Sequence, residues 1–250
     1  MQAPTAAFVG VAGGAGATRL SVETAAVLAR DGHSVGVFDA AVATQGLSQY
    51  VPGSIDPDAT AALTGDAAIR DVRHDLAPET PGTLALYPAF APFAGLADAK
   101  SPAAAERLEG VLADLAADHD YVVVDTPPVA ANQAVAAVTA ADRAVAVVPP
   151  GDRGVDSLQR ARGRLADVGT GFDAAVANRV PDAPADAPPD ADVAVPAREN
   201  ADVPEAPAAL AEAGPFVEAV ASLAETAFDV TVDADVADDS LVDAARQKLP

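Results

Sequence analysis

The run Gly13-Gly14-Ala15-Gly16, followed by Ala17, Thr18 and Arg19, has the composition of a loop that presents backbone N–H groups to an anion at the start of a helix. Downstream, apolar segments end in Asp39, in Asp125-Thr126-Pro127-Pro128 and in Asn178-Arg179. Two kinds of phosphate loop share this start. A P-loop places Lys and then Ser or Thr after its last glycine, and Thr18 fits, but Ala17 stands where the lysine belongs. A dinucleotide loop wants G-x-G-x-x-G/A and an acid about 20 positions on. Asp39 fits, but Arg19 stands where a small residue is needed for helix–sheet packing. Taken alone, the loop leaves both readings open.

The elements that would position these residues follow from the apolar pattern. Residues 6–12 read as a strand running into the glycine loop. From Thr18, the positions Leu20, Glu23, Thr24, Val27 and Leu28 recur at helical spacing until Asp31-Gly32. Strands are expected at 34–39, 83–87, 121–125, 144–148, 174–178 and 192–196. Helices are expected near 58–72, 102–118, 130–140, 153–167 and 215–227. The segment 121–125 is apolar up to its acid, as a parallel strand covered on both faces should be. Alternation at this spacing predicts an α/β fold, a mostly parallel sheet wound by helices on both faces. The expected organisation is one domain over 1–227, with a Pro/Asp-rich loop at 181–192, and an acidic tail over 228–250.

Composition removes several functions. There is no cysteine, hence no disulfide, thiolate metal site or cysteine nucleophile, and His33, His74 and His119 lack ligand spacing. Fifteen Lys+Arg against 37 Asp+Glu leave a formal charge of −22, and Lys100 and Lys248 are the only lysines. Such a surface repels nucleic-acid phosphate and anionic lipid. The balance resembles that of cytoplasmic proteins from salt-accumulating halophiles, where molar salt shortens the Debye length to about 3 Å and screens self-repulsion. No long apolar run and no basic leader are visible, so the expectation is a cytoplasmic protein without autonomous membrane attachment.

Taken in order, Ala12 through Ser21, Asp39-Ala40-Ala41, Asp120 through Pro128 and Ala177-Asn178-Arg179-Val180 resemble the MinD/ParA family of deviant Walker-A P-loop ATPases, over roughly residues 6–225. The resemblance implies ATP or ADP with magnesium. Gly13, Gly14, Ala15, Gly16, Ala17 and Thr18 would cradle phosphate and Asn178 would contact adenine. Thr18, Asp39 and Asp125 would serve the metal. It also implies dimerisation and a protein partner. In that family, lysines occupy the positions of Ala12 and Ala17, and a water-orienting aspartate that of Ala41. Losing one charge-assisted contact of about 1.5–3 kcal/mol weakens phosphate binding roughly ten- to a hundredfold. Losing the cation that bridges the transition state removes on the order of 10³–10⁵ in rate. The expectation is a pseudo-ATPase: nucleotide binding weak or lost, no catalytic residue, and a binding or regulatory role in spatial organisation or partitioning. The alternatives are an active ATPase with unusual cations and an NAD(P)-binding protein with Asp39 on a ribose. Arg19 is a candidate cation, although helical rotation carries it about 100° from Thr18. Arg153 and Arg179, near the sheet's carboxyl edge, are others.

Overall fold

The computed structural model describes residues 2–76, 80–198, 202–203, 206–210 and 213–232. The chain runs β1 (Thr5–Gly10), α1 (Ala17–Arg30), β2 (Ser34–Asp39), α2 (Ala59–Thr64), β3 (His74–Leu76), β4 (Thr83–Tyr87), α3 (Phe93–Ala99) and α4 (Pro102–Asp118). It continues with β5 (Tyr121–Thr126), α5 (Asn132–Ala140), β6 (Arg143–Val148), α6 (Asp152–Ala166), β7 (Ala174–Val180), β8 (Val193–Pro196) and α7 (Pro215–Phe228).

One eight-stranded sheet has the order β3-β4-β2-β5-β1-β6-β7-β8. Every pairing is parallel except that of β3 with β4. Strand alternation divides the interior in two. Phe8, Val123 and Val145 point to a layer closed by α1 and α7. Val9, Val122 and Val124 point to a layer that includes Leu63 of α2, Leu108 and Leu112 of α4, and Ala137 of α5. Helix α1 lies under other structure for most of its length, and Leu20 through Arg30 are all buried. With so few aromatic residues, the interior is filled mainly by Val, Leu and Ala.

Ser101 caps α4 by accepting from the Ala104 amide at 3.2 Å, and Pro102 opens its first turn. The helix expected over 58–72 is broken. Asp58 caps α2, Gly65 ends it at φ 87°, and a separate 3-10 turn covers Ile69–Val72. The expected strands and helices do not include β3 and α3. β3 is three residues long, and α3 sits among prolines and a glycine that mimic a loop.

Residues 181–192 run as mostly exposed turns between β7 and β8. Of the acidic tail, residues 233–250 lie outside the described residues. Among the described residues, no helix is long and apolar enough to cross a membrane. The position of β5 between β1 and β2 bears on function. In a dinucleotide fold the acid-bearing second strand adjoins the first. Here a whole strand separates them, and Asp39 stands beside Asp125 instead.

Candidate functional site

β1 delivers the chain to the carboxyl edge of the sheet, where Val11 N donates to Val147 O at 3.0 Å and Ala15 N to Ala12 O at 3.2 Å. Gly16 then caps α1 at φ 92° and offers no side-chain acceptor to the first turn of the helix. The leading N–H groups of α1 are therefore without helical acceptors, at the positive end of the helix dipole. An L side chain at Gly16 would be strained by its φ, and its Cβ would run into the Asn178 amide nitrogen. A Cβ on Gly13 or Gly14 would meet nothing within 4 Å, so the outer side of the loop is open to a ligand.

The loop borders a cavity of about 280 Å³. Gly13, Gly14, Ala15, Gly16, Ala17 and Thr18 all line it, and so do Ala12 and Ala41. The three positions where charged groups are missing thus converge on one space. Among its lining residues, Asp125 is the one acid and Arg179 the one cation.

Thr18 Oγ1 donates to Asp125 Oδ2 at 2.6 Å. Asp39 is register partner to Asp125 across β2 and β5, is fully buried, and does not line the cavity. Its Oδ2 accepts a long bond of 3.4 Å from Ala89 N, while Oδ1 has no hydrogen-bond partner. Burial, and then the neighbouring Asp125 charge, hold the Asp39 carboxyl well above the usual carboxylate range. Burial pushes Asp125 up to about 6, opposed by the Thr18 hydrogen bond. Two crowded carboxyls, one with an unsatisfied oxygen, and a hydroxyl within reach form an oxygen donor set that suits a small hard cation such as magnesium. Asp125 and Thr126 end β5, and α5 begins only at Asn132, so this acid does not cap the following helix.

A second cavity, of about 330 Å³, adjoins the first and shares Gly16, Thr18, Gly46, Gln49 and Arg179 with it. Asn178 lines it while its Nδ2 donates to Ala15 O at 2.8 Å. Tyr50, Pro196 and Phe216 are further walls, and burial raises the Tyr50 phenol to about 12. Nothing in the sequence marks these residues, because they reach the site from a 3-10 turn at Gly46–Tyr50, the end of β8 and the start of α7.

Arg19, a candidate cation, lines the second cavity but not the one under the glycine loop: its side chain is 14% exposed and its Nε donates to Glu23 Oε1 at 2.6 Å. Glu23 also accepts from Ala208 N at 2.9 Å and Ala209 N at 2.8 Å, so the pair fastens the 208–210 turn to α1. Arg153 is exposed on α6 and lines neither cavity. Arg179 has φ 62°, at a register irregularity between β7 and β8, and its Nη1 donates to Gly14 O at 3.0 Å.

A family model described as AAA domain matches residues 4–168. No curated protein matches the chain in sequence. Among solved structures, the septum site-determining protein MinD complexed with Mg-ADP from Pyrococcus horikoshii OT3 is 19% identical, with a TM-score of 0.73 over 89% of this chain and 95% of that one. A chain of the MinC:MinD cell division protein complex from Aquifex aeolicus is 20% identical, with a TM-score of 0.72 over 92% of this chain and 98% of that one. A ParA family ATPase from Chlorobium tepidum TLS is 16% identical, with a TM-score of 0.73 over 88% and 98%.

Proposed function

Because this chain belongs to the AAA-domain family and has the fold of the MinD and ParA ATPases, we propose that it is a pseudo-ATPase of that fold. In this reading it binds ATP or ADP with magnesium weakly, does not cleave it, and acts by presenting surfaces to a protein partner in spatial organisation or partitioning. The supporting observation is the convergence of Ala12, Ala17 and Ala41 on the cavity beneath the glycine loop.

The loop retains what holds phosphate by backbone alone: the N–H groups at the start of α1 and the positive end of its dipole. Thr18 and Asp125, with Asp39 beside them, would hold magnesium, which when bound would neutralise phosphate charge. Phosphoryl transfer further needs cations on the developing charge and a group that orients water. Ala17 and Ala12 offer no cation, and Ala41 offers no carboxylate. The deficit falls on the transition state more than on the bound ground state, so binding persists where turnover does not.

The retained triad of Thr18, Asp39 and Asp125 favours a second reading, an active ATPase completed by a cation from elsewhere in the chain or from a partner. A phosphate-release assay on the purified protein, in molar KCl with magnesium, separates the two. No turnover above background is expected. Turnover that Asp125→Ala abolishes would establish the second reading.

A further inference from the structure

Arg179 stands out among the cations around the two cavities. Arg19 is committed to Glu23, and the Arg198 guanidinium lies over the Phe216 ring, 4.8 Å from its centroid. Arg179 alone among the described Lys and Arg residues lines both cavities. Its neighbours along β7, Asn178 and Val180, are buried, while Arg179 is exposed.

The cause is in the backbone. At φ 62° a non-glycine residue leaves the strand conformation, and the ladder with β8 slips between Asn178 and Val180. The side chain comes to rest over the glycine loop, with Nη1 on Gly14 O at 3.0 Å. Nη2 lies 3.6 Å from where a Cβ on Gly16 would stand. A left-handed arginine persists only where its surroundings impose it, and such outliers gather at ligand sites. The guanidinium is thereby placed at the junction of the cavity under the glycine loop and the one beside Tyr50 and Phe216. A planar fork of N–H donors is suited to the oxygens of a phosphate.

We propose that Arg179 is the phosphate anchor of this site, supplying from the end of β7 the cation that position 17 lacks, and that the ligand is a nucleoside diphosphate or triphosphate gripped through its phosphates. This assignment rests on the nucleotide-binding part of the proposed function. It is independent of whether the protein hydrolyses what it binds. When a nucleotide occupies the site, the guanidinium exchanges the Gly14 carbonyl for phosphate oxygen, so one donor both shapes the free loop and holds the ligand.

Calorimetric titration of the full chain with ADP and with adenosine, in molar KCl with magnesium, tests it. Arg179→Ala is expected to weaken ADP about ten- to a hundredfold, the loss of one charge-assisted contact, with adenosine affinity unchanged. Arg179→Lys should recover part of the ADP affinity. Arg153→Ala, at a residue that lines neither cavity, should change neither. The assignment is overturned if Arg179→Ala binds ADP like the wild type, if it loses ADP and adenosine in equal proportion, which would mark Arg179 as a support for the loop only, or if the wild type binds no ADP at all. Melting curves of each variant identify any that fail to fold, and in that event the Lys variant's ratio of ADP to adenosine affinity decides, an unchanged ratio counting against the anchor. Turnover by the wild type would defeat the pseudo-ATPase reading while leaving this one standing.

Discussion

Asp39 and Asp125 are register partners on adjacent parallel strands β2 and β5, both essentially without solvent exposure, and no cation of the chain bonds to either among the hydrogen bonds and ion pairs of the described residues. In-register placement puts two side chains on the same face of the sheet. Their mutual repulsion and their burial favour the protonated forms.

The pair makes stability depend on pH. Both carboxyls have raised values in the folded protein, Asp125 to about 6, so the fold retains protons that the unfolded chain releases from about pH 4 upward. The contribution is present in full below about pH 4 and is lost as pH rises through about 6. Asp39→Asn removes the repelling charge. It should stabilise the protein by about 1–3 kcal/mol above neutrality and by much less near pH 4, as read from thermal melts across that range. Equal shifts at both ends would contradict the account.

Returning a lysine to the loop should restore affinity before activity. Ala17 lines the cavity under the glycine loop at the first position of α1. Ala17→Lys is expected to tighten ADP about ten- to a hundredfold while phosphate release stays at background. Release should appear only when Ala12→Lys and Ala41→Asp are added. An ADP affinity indifferent to Ala17→Lys would show that this cavity is not the phosphate site.

Gly16 is the least replaceable residue of the loop. Gly16→Ala imposes a Cβ at φ 92° and against the Asn178 amide, so both stability and ADP binding should fall. The left-handed conformation alone costs about 1–2 kcal/mol. Adding Asn178→Ala removes the collision and leaves the dihedral cost, so the double variant should melt between the wild type and the single Gly16→Ala variant once the loss from Asn178→Ala alone is subtracted.

Glu23 is buried, and its carboxylate gathers Arg19 and two backbone amides of the 208–210 turn. Glu23→Ala should destabilise by about 3 kcal/mol, the scale of a broken buried charge pair, and should raise amide exchange at Ala208 and Ala209. Arg19→Ala should weaken ADP far less than Arg179→Ala, since that guanidinium is held by Glu23 and lines only the cavity beside Tyr50 and Phe216. A drop in ADP affinity as large as that of Arg179→Ala, with adenosine affinity unchanged, would assign Arg19 a phosphate role.

A net charge of −22 on a chain with so few cations should make folding dependent on salt. Melting temperature is expected to rise steadily from dilute buffer to molar KCl as screening shortens the Debye length from about 10 Å to about 3 Å. A melting point independent of salt would mean that the negative charges are spaced widely enough for repulsion not to matter.

The sequence by itself determined the α/β class, all seven parallel strands to within a residue or two, and the glycine loop, because apolar runs, a glycine cluster and helical spacing are local signals. It missed β3 and α3, a three-residue edge strand and a short helix among prolines, whose patterns are too brief to distinguish from loop. It also set Ala12, Ala17 and Ala41 far enough apart that their common cavity was an inference from likeness, and only the fold brings them to one wall. Tertiary structure alone decided that Arg19 turns to Glu23 and that Arg179 turns over the loop. The first depends on a turn nearly two hundred residues downstream arriving beside α1, and the second on a backbone reversal where β7 slips against β8. A side chain's direction is set by the neighbours that meet it, and those neighbours are distant in the chain.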